Sequence, residues 1–254
     1  MSLLVMDGLV KRFGGLVAVG GVSFDVPEKA IVGLIGPNGA GKTTVFNLIT
    51  GNYRPDEGSI IFAGEPITGN HPHEIVEKGI ARTFQTIRLF GEMTVLENVL
   101  AGCHCRLSAG IFSSLFRTPG QRAEERGAVE KAMRELAFVG LDAEYNNLAH
   151  NLPYGKQRLL EIARALATEP RLLILDEPAG GMNDQETAEL TALIGALCKR
   201  GLSILLIEHD MNLVMKVCHS LVVLEYGVMI ARGSPAEIKN NRQVIEAYLG
   251  SDDD

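Results

Sequence analysis

Apolar residues run through the first third of the chain in short bursts cut by glycine: Leu3 to Leu9, Val22 to Val26 and Ala30 to Ile35. Such bursts predict short strands, and the third runs into a glycine-rich turn followed by a helix that begins near Lys42. Near Leu89 the period lengthens. Met93 to Ala101 and Gln121 to Phe138 read as helices, with Val129, Met133 and Leu136 spaced for one face. A helical insert is predicted at roughly Gln85 to Arg158. After it, three apolar runs (Leu172 to Leu175, Ser203 to Ile207, Leu221 to Leu224) alternate with helical patterns such as Gln185 to Lys199. That alternation predicts a largely parallel sheet with helices on both faces. Between the insert's helices, Arg106 to Gly120 places Ile111, Phe112, Leu115 and Phe116 among small and polar residues, which fits a partner-facing loop or plain packing. Ser251 to Asp254 is an acidic tail expected to fray.

The 254 residues suffice for one α/β core with an attached subdomain. Hydrophobic residues at 46% and charged ones at 22% exclude a disordered chain. A net charge of -7 argues against the cationic face that binding a phosphate backbone requires, so no nucleic-acid partner is expected. No stretch approaches the ~20 apolar residues of a spanning helix and no signal segment opens the chain, so a cytoplasmic location is expected. The cysteines are Cys103, Cys105, Cys198 and Cys218; without a second ligand pair after Cys103-His104-Cys105, reduced structural thiols are the expectation.

Gly36-Pro37-Asn38-Gly39-Ala40-Gly41-Lys42-Thr43, followed by Thr44, fits G-x-x-x-x-G-K-[ST] and falls between an apolar strand and a helix, where a P-loop must sit. Its glycines let backbone N–H groups turn toward phosphates, the helix start adds its positive end, Lys42 neutralises the outer phosphates, and the Thr43 hydroxyl suits Mg²⁺. Leu172-Leu-Ile-Leu-Asp176-Glu177 is an apolar strand ending in two acids: Asp176 to hold Mg²⁺ and Glu177 to polarise an attacking water. So hydrophobic a strand must be central, and its C-terminal end is where such folds bind ligands.

Between these motifs, Leu152-Pro153-Tyr154-Gly155-Lys156-Gln157, followed by Arg158-Leu-Leu-Glu-Ile-Ala-Arg-Ala-Leu166, resembles the signature segment of the ABC ATPase family, and the resemblance covers essentially the whole chain. It implies a P-loop NTPase core with a mixed, largely parallel sheet, an N-terminal antiparallel β subdomain and an inserted α-helical subdomain. The implied divisions are residues 1–84 (β subdomain and P-loop), 85–158 (helical, signature-bearing) and 159–254 (the rest of the core and the C-terminal helices). In that family the signature of one subunit closes over ATP held on the P-loop of another, which an exposed helix start would do well. The resemblance further implies that Phe13 stacks on adenine, that Gln85 reaches Mg²⁺ and the attacking water, and that His209 contacts the γ-phosphate. The family pattern has a serine at Pro153 and an aspartate at Asn183. Pro153 removes a hydroxyl and a backbone donor, which leaves Gly155 and the helix start as the expected phosphate contacts.

Ile80-Ala-Arg-Thr-Phe-Gln-Thr-Ile-Arg-Leu-Phe90, Met93-Thr-Val-Leu-Glu-Asn-Val99 and the tail from Val222-Val-Leu-Glu-Tyr-Gly227 through Ile245-Glu-Ala-Tyr-Leu-Gly250 are similar to ATPase subunits of branched-chain amino acid importers. The resemblance implies ATP and Mg²⁺, a second ATPase subunit in a homo- or heterodimer, two transmembrane permease subunits and, indirectly, a periplasmic amino acid binding protein. It implies a peripheral position at the cytoplasmic face of the inner membrane. A lipid-exporting ABC ATPase or a soluble one would share much of the core and remains the alternative.

Overall fold

A computed structural model of the chain describes residues 1–103 and 119–249. Cys105, residues 106–118 of the inter-helix segment and the tail at 251–254 lie outside the described residues.

Two sheets are stacked. The first is antiparallel, in the order β2-β1-β4-β5, and consists of β1 (Ser2–Phe13), β2 (Leu16–Pro27), β4 (Glu57–Phe62) and β5 (Glu65–Pro66). β1 and β2 are longer than the apolar bursts predicted, because register shifts carry the pairing past the glycines and out to Phe13 and Leu16. The second sheet has the order β10-β9-β3-β8-β7-β6, from β3 (Ile31–Ile35), β6 (Ile80–Arg82), β7 (Leu172–Asp176), β8 (Ser203–Ile207), β9 (Ser220–Glu225) and β10 (Val228–Gly233). Its pairings are parallel except for the antiparallel edge strand β10.

The central strands are buried on both faces, and their period of two divides the core. Ile31, Leu173, Leu175, Ile204, Leu206, Leu221 and Val223 enter the core shared with most of the helices. Val32, Leu34, Leu172, Ile174, Leu205, Ile207, Val222 and Leu224 face the opposite core. That second core is filled by the antiparallel sheet and by Val45, Phe46, Leu48 and Ile49 of α1 (Lys42–Ile49). Continuous apolar runs are what a sheet covered on both sides needs.

The other helices are α2 (Pro72–Glu77), α3 (Val95–Cys103), α4 (Pro119–Val139), α5 (Tyr154–Leu166), α6 (Asp184–Lys199), α7 (Met211–Val217), α8 (Pro235–Lys239) and α9 (Arg242–Leu249). A reciprocal pair starts α3: Thr94 N–H donates to Glu97 at 2.8 Å and Glu97 N–H donates to the Thr94 hydroxyl at 3.2 Å. Of the apolar face expected on α4, Leu136 is buried and Met133 packs against the core, but Val129 is not part of the buried stripe. Val129 is exposed and Met133 half-buried, whereas Ala128, Ala132, Leu136 and Val139 form the stripe that packs on α3 and α5. Small alanines let the helices approach, and Glu135 is buried beside them because Arg200 grips both its oxygens at 2.5 Å. The boundary expected at residue 158 falls inside α5, which runs unbroken to Leu166. Among the described residues no helix is long and apolar enough to cross a membrane.

Candidate nucleotide site

The turn after β3 is shaped by close backbone contacts. Gly41 precedes α1 with φ 95°, and a Cβ there would lie 2.5 Å from the Ala18 carbonyl, so only glycine fits. Gly227 N–H donates to the Ala40 carbonyl at 3.1 Å and thereby props the loop from the β9–β10 turn. Lys42, the first residue of α1, is buried and folds back to donate to the carbonyls of Gly36 (2.6 Å) and Pro37 (2.8 Å). Burial pushes its ammonium below the ordinary lysine range, while Glu177 and Asp176 pull in the opposite direction. An anion at the loop mouth would offer this partly desolvated cation a stronger partner than two carbonyls.

At the far end of the same sheet edge, β7 delivers Asp176 and Glu177. Asp176 is buried and paired with Arg82 at 2.7 Å, and Arg82 also donates to Asn47 Oδ1 at 2.7 Å. Glu177 takes φ 48°, an unfavourable region for a side chain with a Cβ. Its two oxygens are held from different loops: Gln85 Nε2 donates to Oε2 at 2.6 Å, and His209 Nε2 lies 2.6 Å from Oε1.

These elements enclose one cleft of 530 Å³. Phe13, Asn38, Gly39, Ala40, Gly41, Lys42, Thr43, Thr44, Gln85, Glu177 and His209 all line it. Gly36 and Pro37 join through the carbonyls that receive Lys42, and Asp176 sits one residue behind Glu177. At the outer end Phe13 is partly exposed and meets Tyr53 edge-on, with ring centroids 5.2 Å apart. Leu16, Val17, Ala18 and Tyr226 complete the wall; sequence reasoning missed them because their position depends on the β1–β2 and β9–β10 turns.

The segment Leu152 to Lys156 does not line this cleft. Leu152 is buried, Pro153 is the N-cap of α5 without any side-chain cap bond, and Tyr154 is exposed. Lys156 is paired with Glu144. Gly155 is buried, and a Cβ on it would lie 2.4 Å from Glu186 Oε1, so a larger residue there would have to push the Glu186 side chain aside. Asn183 caps α6: its side chain accepts from Glu186 N–H at 3.0 Å, and Glu186 accepts from Asn183 N–H at 3.0 Å. Its amide oxygen is thus used within the chain.

Arg158 is a further residue whose importance the motifs did not reveal. Its buried guanidinium, on α5, donates to the carbonyls of Phe84 (2.5 Å) and Gln85 and to Glu161 (3.2 Å). The loop bearing Gln85 is therefore fastened to the helix that follows Pro153. Glu161 stands between Arg158 and Arg164, and burial raises its carboxyl above the usual range against the pull of both. Arg82 and Arg158 flank visible motifs in sequence, but their partners are set only by the tertiary fold.

Residues 19–180 match the family model described as ABC transporter. Residues 228–254 match the model described as Branched-chain amino acid ATP-binding cassette transporter. The chain is 50% identical over 249 residues to the high-affinity branched-chain amino acid transport ATP-binding protein BraF of Pseudomonas aeruginosa, covering 98% of each. It is 48% identical to the corresponding LivG of Escherichia coli, again over 98% of each. Among solved structures, it is similar to an ATP-binding cassette of an ABC transporter in its ADP conformation, with 35% identity, a TM-score of 0.85, and coverage of 98% of this chain and 99% of the other. A nucleotide-free cassette from an ABC transporter gives 37% identity and the same TM-score of 0.85, with the same coverage. With the P-loop, the paired acids and the glutamine and histidine all gathered at one cleft on this fold, the chain belongs to the ABC transporter family.

Proposed function

We propose that this chain is the ATP-binding and ATP-hydrolysing subunit of an importer of branched-chain amino acids. It works as one half of a dimer of such ATPases, with two transmembrane permease subunits and, indirectly, a periplasmic amino acid binding protein, at the cytoplasmic face of the inner membrane. The observation that carries the catalytic part is the Glu177 carboxylate, held at 2.6 Å by both Gln85 and His209 beside the Lys42 loop. The likeness to BraF and LivG over nearly the whole length supports the transported class.

In this reading the P-loop amides and Lys42 hold the phosphates, Phe13 stacks on the base, and Glu177 directs water at the γ-phosphate. Gln85 and His209 orient Glu177 and sense that phosphate. Thr43 and Gln85 line the cleft and Asp176 lies just behind Glu177 with Oδ2 paired to Arg82, so hydroxyl, amide and carboxylate oxygens, the hard donors Mg²⁺ takes, are at hand and these residues would hold the ion. Mg²⁺, when bound, would supply neutralisation of phosphate charge. Because Leu152 to Lys156 stand away from the cleft of their own chain, a second subunit's signature completes the site. ATP bound across that interface favours only the closed dimer, and this differential affinity moves the membrane partners. The helical subdomain is drawn at residues 85–166, extending the expected 85–158 to the end of α5.

The test is reconstitution in vesicles with the companion permease subunits and binding protein. ATP-driven uptake of leucine, isoleucine or valine that disappears with Lys42→Ala is the expected result. Mg-ATPase activity without amino acid uptake, or with lipid extraction instead, would overturn the transport assignment.

A further inference from the structure

We propose that Glu208 is a positioning residue for ATP hydrolysis, clamping together the two loops that carry Glu177 and His209. The proposal rests on the reading of Glu177 and His209 given above. β7 and β8 are neighbouring parallel strands, with Asp176 opposite Ile207, and both chains leave the sheet at this edge. Beyond the strand ends no ladder fixes the distance between the two loops. Glu208 supplies that fixation from a buried position. Its Oε1 accepts from Ala179 N–H at 2.7 Å, two residues beyond Glu177. Its Oε2 accepts from His209 N–H at 2.9 Å and from Asp210 N–H at 3.3 Å.

Three backbone donors from two loops therefore converge on one carboxylate. Glu177 is bracketed by this arrangement, since its own N–H donates to the Ile207 carbonyl at 2.9 Å on the other side. The left-handed backbone at Glu177, φ 48°, needs such over-determination to persist. The 2.6 Å contact between Glu177 and His209 is set by the spacing of the two loops, so it is sensitive to the clamp.

The chemistry of the side chain matters. An ionised carboxylate accepts at both oxygens, whereas glutamine of the same shape has one acceptor and an NH₂ that would face an N–H. If support of the fold were its only role, a neutral residue would avoid placing a third acid at the sheet edge that already holds Asp176 and Glu177. Glu208 touches neither Lys42 nor the P-loop by any hydrogen bond or ion pair found among the described residues. Nucleotide affinity should therefore be separable from turnover.

The experiment compares full-length wild type, Glu208→Gln, Glu208→Asp and Glu177→Gln. It measures steady-state Mg-ATPase, Mg-ADP binding by calorimetry and thermal midpoint. Glu208→Gln is expected to lower kcat by roughly 10- to 100-fold, since small misplacements of catalytic groups have effects of that size, with Mg-ADP affinity changed by about twofold or less. Glu208→Asp, which keeps two acceptors on a shorter arm, should recover part of the lost kcat. Wild-type kcat in Glu208→Gln, with turnover lost in Glu177→Gln, would remove the role of Glu208 alone. A parallel fall of kcat, affinity and midpoint in Glu208→Gln would also overturn it, by making the residue only a support of the fold. Wild-type turnover in Glu177→Gln would bring down the underlying reading of the site together with this proposal.

Discussion

His209 Nε2 and Glu177 Oε1 lie 2.6 Å apart although they come from loops after different strands. With Gln85 on the other carboxylate oxygen, Glu177 is oriented from two sides. Glu177→Gln keeps the shape and loses the proton acceptor. Turnover should fall roughly 10²- to 10⁴-fold while ATP still binds, because general acid–base contributions are of that order. A dimer closed around uncleaved ATP should then accumulate and elute earlier in gel filtration. Normal steady-state hydrolysis by this variant would remove Glu177 from the role of base.

Lys42 makes the complementary prediction. Among the described residues its ammonium bonds to the Gly36 and Pro37 carbonyls, at 2.6 and 2.8 Å, with Glu177 and Asp176 acting on it through charge. Replacing those carbonyls by phosphate oxygens makes charge-assisted bonds, so Lys42→Ala should weaken ATP binding by roughly 10- to 100-fold. Calorimetry with Mg-ATP at one salt concentration measures this directly, and unchanged affinity would undo the P-loop assignment.

Much of this site was legible because its motifs report local geometry. Gly36 to Thr43 follows a buried strand and opens a helix, and the spacing alone places the cation. Arg82, Arg158 and Glu208 carry no such pattern. Each lies beside a visible motif, but the partners that give it its place (Asp176, the Phe84 and Gln85 carbonyls, the Ala179 amide) are far away in sequence. The hairpin β1–β2 is longer than its apolar bursts indicate because bulges let glycines stay within paired strands. On α4 the large apolar residues suggested one face, but alanine packs closely where helices cross, so Ala128 and Ala132 mark the buried stripe.

Arg158 separates two kinds of ion pair. It is buried with Glu161 at 3.2 Å and also satisfies two backbone carbonyls, whereas Arg242 and Glu246 form an exposed pair at 2.7 Å on α9. Arg158→Ala leaves two carbonyls without this donor and Glu161 with Arg164 as its remaining ion-pair partner, and should cost about 3 kcal/mol. Arg242→Ala should change stability by about 0.5 kcal/mol or less. Urea denaturation of both variants checks the contrast. Equal effects would show that the link between the Gln85 loop and α5 contributes nothing special.

Acid should weaken the fold through a small set of exposed carboxylates. Asp56 accepts from Arg12 N–H at 2.6 Å and from Lys11 Nζ at 3.0 Å, and these bonds, the backbone one first, hold its carboxyl below the ordinary 3.8. Glu97 accepts from Thr94 N–H at 2.8 Å, and Glu237 from Ser234 N–H at 2.7 Å, so both capping glutamates are held below 4.5. In each case the unfolded chain binds the proton more readily. The stabilisation is therefore complete above the unfolded values of 3.8 and 4.5, and it is lost as pH falls toward and through the lowered folded ones. A variant combining Asp56→Asn, Glu97→Gln and Glu237→Gln should be less stable than wild type at about pH 6, with the gap narrowing at about pH 3.5. Urea midpoints at both pH values measure the gap, and a difference that stays constant with pH would mean that these contacts stabilise the fold without reference to charge.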